Sequence, residues 1–270
     1  MARARQLFQK LAAIAVVLAA GAVSGALCYS QSCPTCIGSA QCYTGAVECV
    51  NGVWVCSDGT QPCVGPEPAP CCQECYESCT TAGWTCYGSP ILIDAQGQGF
   101  HLTSLNKGVQ FEMSPGTPMQ VSWTNPAFQN AFLALDRNGN GKIDDGSELF
   151  GEFTPQPPTA NPNGYAALAV FDDPRNGGNG NGRIDPGDAI YSSLRLWVDR
   201  NHNGISEPEE LIPLAEAGVF SIDLHYVEDR YFDAYGNWFH YRAMVWDEAG
   251  HAANKCYDVF LQLRPTSEAK

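Results

Sequence analysis

The stretch Asp199-Arg200-Asn201-His202-Asn203-Gly204-Ile205-Ser206-Glu207-Pro208-Glu209-Glu210 sets oxygen-bearing side chains at alternate positions and follows them with a glycine. That spacing is the spacing of a calcium loop. Ca2+ takes roughly six to eight oxygen ligands, alternate residues of a tightly curved loop point inward, and glycine permits the sharp turn that follows. Along a twelve-residue loop, Asp199, Asn201 and Asn203 fall at positions 1, 3 and 5, Gly204 at 6, the backbone carbonyl of Ile205 at 7, Glu207 at 9 and Glu210 at 12.

Two further stretches repeat the pattern with changes. In the first, Asp136, Asn138, Asn140, Gly141, the Lys142 carbonyl and Asp144 hold positions 1, 3, 5, 6, 7 and 9, but the closing acid, Glu148, falls at 13 and Ser147 at 12. In the second, Asn179, Asn181, Gly182, Arg183, Ile184, Asp185 and Asp188 hold positions 3, 5, 6, 7, 8, 9 and 12. Its first ligand is displaced by the insert Asp173-Pro174-Arg175-Asn176-Gly177-Gly178, so either Asp172 reaches over the insert or the loop is incomplete. Asn, Asp and Gly are also ordinary turn formers, and one such run alone reads as a surface turn. Three within 75 residues, two of them with a downstream acid at usable spacing, point to Ca2+ instead. Asn rather than Asp at positions 3 and 5 keeps the formal charge low, which fits an affinity of roughly 10⁻⁴ to 10⁻³ M, the range of extracellular modules. A fourth run, Asp94-Ala95-Gln96-Gly97-Gln98-Gly99, has the rhythm without the acids and reads as a decayed, empty loop.

The amino terminus suits an exterior location. Arg3, Arg5 and Lys10 precede the apolar run Leu11 to Ala20, and Ser24-Gly25-Ala26 offers small residues for cleavage after Ala26, so residues 1–26 read as a secretory signal peptide. No membrane span remains after its removal. Twelve of the thirteen cysteines lie between Cys28 and Cys86, a density that outside the cytosol means a disulfide framework for residues 27–88. Cys256 stands apart and reads as a buried thiol. Net charge is −14, and −17 once Arg3, Arg5 and Lys10 are removed; no Lys or Arg occurs from Leu27 to Gly88. Such a surface excludes nucleic acid and anionic membranes as partners.

Residues 89–270 are long enough for one good core. Ile91-Leu92-Ile93 reads as a buried strand, Gly164 to Phe171 and Glu207 to Ala217 as short helices, and Leu194 to Val198, Val219 to Tyr226, Trp238 to Trp246 and Tyr257 to Leu263 as strands. Tyr235-Gly236-Asn237 marks a turn, and Asn51-Gly52 marks a hairpin within Val47 to Cys56. The expectation is an α+β domain with EF-hand-like calcium loops, short helices and a C-terminal antiparallel meander, preceded by a small disulfide-rich segment.

An ordered series of motifs then carries a resemblance. Ser89-Pro90-Ile91-Leu92-Ile93-Asp94, Phe132-Leu133-Ala134-Leu135-Asp136 to Glu148-Leu149-Phe150-Gly151, Gly164 to Ala169, Leu194-Arg195-Leu196-Trp197, and Glu210-Leu211 to Ser221-Ile222-Asp223-Leu224 resemble the calcium-dependent self-processing module of iron-regulated RTX-type exported proteins. The resemblance runs through Ser89 to Tyr226, about half of the chain. It implies a calcium-folded module that cleaves an Asp-Pro bond at its own N-terminal edge and can join the freed aspartyl group to a lysine. The reactive aspartate would fall at Ser89, before Pro90; serine has no carboxylate to form the anhydride, so cleavage there is expected to be absent.

No His-Glu-x-x-His, Gly-x-Ser-x-Gly or phosphate-cradling loop occurs, and His101, His202, His225, His240 and His251 lack ligand spacing. The sequence therefore predicts a secreted or cell-surface, non-enzymatic protein stabilised by Ca2+, with a structural or adhesive role. Two other readings stay open: calcium-triggered self-processing at Asp173-Pro174 or Asp185-Pro186, and a module whose cysteine-rich segment binds an extracellular protein or glycan.

Overall fold

The computed structural model describes residues 47–50, 53–56, 76–80, 83–159 and 161–266. The chain forms two compact units, Met1–Glu67 with Cys79–Trp84, and Pro68–Ser78 with Thr85–Lys270. In the first, strands β1 (Val47–Val50) and β2 (Val53–Cys56) pair antiparallel with Val50 opposite Val53, in keeping with the hairpin expected within Val47 to Cys56. The expected signal peptide and cysteine pairing of residues 27–88 lie outside the described residues.

The second unit is built on β-structure. Its elements are β4 (Gly83–Gly88), which begins in the first unit, β5 (Ile91–Asp94), β6 (Val109–Ser114), β7 (Thr117–Val121), β8 (Asn130–Ala134), the helix α1 (Gly164–Ala169), β9 (Arg183–Ile184), β10 (Arg195–Trp197), β11 (Leu211–Pro213), β12 (Ser221–Asp223), β13 (Val227–Phe232), β14 (Trp238–Trp246) and β15 (Ala252–Pro265). These strands, with β3 (Tyr76–Thr80) beside β4, make one 13-stranded sheet whose main path runs β11-β10-β8-β5-β15-β14-β12-β9. The long β15 organises it, pairing antiparallel with β14 and β5 over one part of its length and with β4 and β7 over the other.

This architecture overturns the α+β expectation: the protein is mostly β, and α1 is the one α-helix among the described residues. EF-hand loops are flanked by helices, whereas of the three acidic loops in chain order, loop 1 (Asp136 to Glu148), loop 2 (Asp172 to Asp188) and loop 3 (Asp199 to Glu210), loops 1 and 3 follow strands. The runs entering them, Phe132-Leu133-Ala134 and Leu196-Trp197-Val198, are short, unbroken and apolar, and they are buried throughout. Such runs suit a sheet covered on both faces. The helix expected over Glu207 to Ala217 is likewise absent. Only Pro208–Glu210 forms a 3-10 turn, after which Leu211–Pro213 becomes β11 because the edge of β10 needs a partner. The helix expected from Gly164 does form as α1, capped by the Asn163 side chain on the Ala166 N–H at 2.9 Å, and the C-terminal meander appears as β13-β14-β15.

Side-chain alternation divides the core between the two faces. Ile91, Ile93, Leu133 and Leu196 join Tyr165 and Leu168 of α1 in one cluster, while Leu92, Phe132, Ala134 and Trp197 join Trp123, Phe111 and Val259 in the other. Cys256 is a buried free thiol, as expected, and burial pushes it up to about 12.

A carboxyl group with a strongly shifted titration sits inside this core. Asp258 on β15 is fully buried and accepts the first N–H of α1, from Gly164, at 2.7 Å. Burial pushes its carboxyl up to about 7, against hydrogen bonds from Gly164 and Ser89. The folded state therefore keeps the proton to higher pH than the unfolded chain. That contribution to stability is fully present below about pH 3.8 and is lost as pH rises through about 7. Asp258→Asn is expected to melt with a flatter pH profile, so that its advantage over the parent grows between these limits; parallel profiles would contradict the assignment.

Candidate metal centre

In all three acidic loops the first aspartate ties the turn together. Asp136 accepts the N–H groups of Gly139, Asn140 and Gly141 at 2.7, 3.2 and 2.8 Å. Asp199 accepts those of Asn203 and Gly204 at 3.1 and 2.8 Å. Asp172 accepts the N–H groups of Asn181 and Gly182 at 3.1 and 2.9 Å, so it does reach over the insert to close the turn of loop 2. The insert folds away as a 3-10 turn over Pro174–Asn176, capped by Asp173 and ended by Gly177 with φ 87°. Positions 4 and 6 take left-handed backbone in every loop: Gly139 and Gly141, Gly180 and Gly182, His202 and Gly204. His202 carries the strain of a side chain there. Its ring turns away from the loop, Nε2 lying 2.7 Å from the Lys107 carbonyl.

The asparagines repeat as regularly. Each oxygen at positions 3 and 5 accepts the N–H two residues on, from Asn138 to Asn140 (3.0 Å), Asn140 to Lys142 (2.8 Å), Asn179 to Asn181 (3.0 Å), Asn181 to Arg183 (2.9 Å), Asn201 to Asn203 (3.1 Å) and Asn203 to Ile205 (2.7 Å). Their amide groups donate across the loop to the acid at position 9. Asn140 reaches Asp144 at 2.5 Å, Asn181 reaches Asp185 at 2.7 Å and Asn203 reaches Glu207 at 2.8 Å.

The closing acids complete the skeleton from below. Glu148 accepts the N–H groups of Arg137 and Asp144, Asp188 those of Asn179 and Asp185, and Glu210 that of Arg200, all at 2.8 to 3.0 Å. Glu148 thus does the work of position 12 from position 13. Asp172, Asp188, Asp199, Glu148 and Glu210 are buried, whereas the asparagines are exposed, so each loop is anchored in the core and open to solvent above.

Among the described residues no group of three or more His, Cys, Asp or Glu converges closely enough to form a metal cluster. The acids of each loop are separated by Asn amides, and the donor set is wholly oxygen: carboxylate, amide carbonyl and backbone carbonyl. That chemistry suits a hard cation. Loop 3 offers an open position as well, since Glu207 Oε2 is shielded from water and receives no hydrogen bond. Burial raises the neighbouring Glu210 carboxyl, and the Asn203 amide lowers Glu207.

Two indoles back loop 3, one of them remote in sequence. The Trp123 indole N–H donates to Asp199 at 2.7 Å across 76 residues, and that of Trp197 reaches Glu210 at 3.4 Å. No local pattern announces Trp123; only its burial beside Trp197 in the core does. The fourth run keeps the turn alone: Asp94 accepts the N–H groups of Gln98 and Gly99 at 3.1 and 2.7 Å, with no acid closing it.

A family model described as SPM domain matches residues 91–262, which hold all of these loops. The chain belongs to the SPM-domain family. Iron-regulated protein FrpA of Neisseria meningitidis serogroup C is 36% identical over 141 residues, 51% of this chain. The chain spans well under two thirds of that relative, whose aligned part is 12% of its length.

Just outside the matched SPM segment, Ser89 and Pro90 are locked between β15 and the turn after loop 1. Ser89 is buried, its Oγ accepts the Glu152 N–H at 3.1 Å, and the Pro90 carbonyl accepts the Val259 N–H at 3.0 Å. Gly151 lies so close to the Ser89 carbonyl that an added Cβ would stand 1.6 Å from it.

Orphaning a buried donor costs about 1–3 kcal/mol. Asp199→Ala strips acceptors from Asn203, Gly204 and Trp123 and is expected to lower the unfolding free energy by roughly 2–4 kcal/mol in urea melts without metal. Asp94→Ala, which strips the acceptor from two N–H groups of a more open turn, should cost less.

Proposed function

We propose that this SPM domain is an exported module whose fold is stabilised by Ca2+, with a structural or adhesive role outside the cell rather than a catalytic one. The observation that carries the reading is the shared skeleton of the three loops: a first aspartate that gathers the turn, a buried closing acid, Asn oxygens between, and an open face. Asp136, Asn138, Asn140, Asp144 and Glu148 would hold one ion, with the Lys142 carbonyl. Asp172, Asn179, Asn181, Asp185 and Asp188 would hold a second, and Asp199, Asn201, Asn203, Glu207 and Glu210, with the Ile205 carbonyl, a third. The ion would supply charge compensation for the buried acids. A site at ten times its dissociation constant adds about 1.4 kcal/mol of stability. The charged stretch before Leu11 and the cysteine density of residues 28–86 support export.

Self-processing has less support. Ser89 offers no carboxylate before Pro90. Of the two Asp-Pro bonds, Asp173 is held by Arg175, which lowers its carboxyl to about 2, and Asp185 is held by Asn179, Asn181 and the Gly187 N–H.

Calcium titration of the mature protein by calorimetry, followed by melting and intact mass, tests the reading. It predicts saturable binding, a higher melting temperature and an unchanged mass. Fragments ending at Asp173 or Asp185 would replace it with self-processing, and absence of binding would reduce the loops to hydrogen-bonded turns. Because Trp123 and Trp197 touch Asp199 and Glu210, tryptophan emission should change as loop 3 fills, and Glu210→Gln should weaken that change more than Asp188→Asn does.

A further inference from the structure

The three loops are not equivalent in their surroundings. Position 8, the residue between the carbonyl at 7 and the acid at 9, is Ile143 in loop 1 and Ser206 in loop 3. Both are buried, at 3% and 2% exposure, and they meet. The Ser206 Oγ accepts the Ile143 N–H at 2.7 Å and lies 3.4 Å from the Ile143 carbonyl, so one hydroxyl engages both backbone groups of the facing loop. The same strand backs both loops. Gly146 lies against the Met113 backbone of β6 and Gly204 against that of Gln110, with added Cβ atoms only 2.0 and 2.7 Å from the two carbonyl oxygens. Loop 2 is placed otherwise: its position 8, Ile184, pairs in β9 with Ile222 of β12.

We infer that loops 1 and 3 form one coupled pair, joined back to back through Ser206 and Ile143, in which filling either loop favours filling the other, while loop 2 binds alone. The inference rests on the calcium reading above and extends it to the regulation of those sites. Position 8 is flanked on both sides by groups that would close on an ion, so ordering one loop fixes the backbone to which the other is bonded. β6 packs closely against a glycine of each loop, a second path by which a shift in one reaches the other. Coupling of this kind is reciprocal: whatever loop 3 does for the affinity of loop 1, loop 1 does equally for loop 3.

Calorimetric titration with CaCl2 of the mature protein, Ser206→Ala, Glu210→Gln, Glu148→Gln and Asp188→Asn tests it. Ser206 supplies no side-chain donor to the loop centres, so Ser206→Ala removes the link and leaves every proposed ligand in place. The parent is expected to show two cooperative sites and one independent site. Glu210→Gln should weaken loop 1 by about fivefold or more, and Glu148→Gln should weaken loop 3 by the same factor. Ser206→Ala should abolish the cooperativity while keeping three sites, and Asp188→Asn should remove one site and leave the pair intact. Three independent sites in the parent, or cooperativity unchanged in Ser206→Ala, would overturn the coupling alone. Absence of calcium binding in the parent would overturn the underlying reading together with it.

Discussion

A carboxylate taken out of water must find its hydrogen bonds within the protein, and this constraint shapes every loop of the domain. The first aspartate satisfies it by collecting the N–H groups at positions 5 and 6, which forces left-handed backbone at positions 4 and 6. Glycine occupies those places except at His202. The same device recurs at Asp94, where the turn survives without closing acids. The turn is thus a folding solution in its own right, to which the three acidic loops add a buried closing acid, Glu148, Asp188 or Glu210.

The sheet supplies the anchor. Leu135 and Val198, just before loops 1 and 3, donate their N–H groups to the carbonyls of Glu148 and Glu210, so each loop is a long connection between neighbouring strand segments. A strand buried on both faces holds its ends rigidly, and the loops inherit that rigidity. Loop 3 is bound most deeply, through indole donors from Trp123 and Trp197. The core and the loops are consequently one mechanical unit.

Much of the site was legible because its chemistry is local. Alternation of Asp and Asn with a following glycine defines the turn, and all three runs form it around Asp136, Asp172 and Asp199. The insert Asp173 to Gly178 left the first ligand of loop 2 open, because whether a chain loops out depends on its ends meeting, which spacing alone does not state. The fold class was misread for a related reason. Calcium-loop spacing carries the association of flanking helices, but Phe132-Leu133-Ala134 and Leu196-Trp197-Val198 are too short for the periodicity that separates a buried strand from a helix. Glu207 to Ala217 has helix-compatible composition, yet tertiary pairing with β10 overrides it. Trp123 and Ser206 were invisible as site residues, since their roles come from contacts 76 and 63 residues away.

The most direct measurement is an anomalous-difference map from crystals grown in CaCl2. A peak is expected in each of the three loops, between the first and closing acids, with none in the turn Asp94 to Gly99. Loops without peaks, their Asn amides still bonded to Asp144, Asp185 and Glu207, would contradict the calcium account at its root.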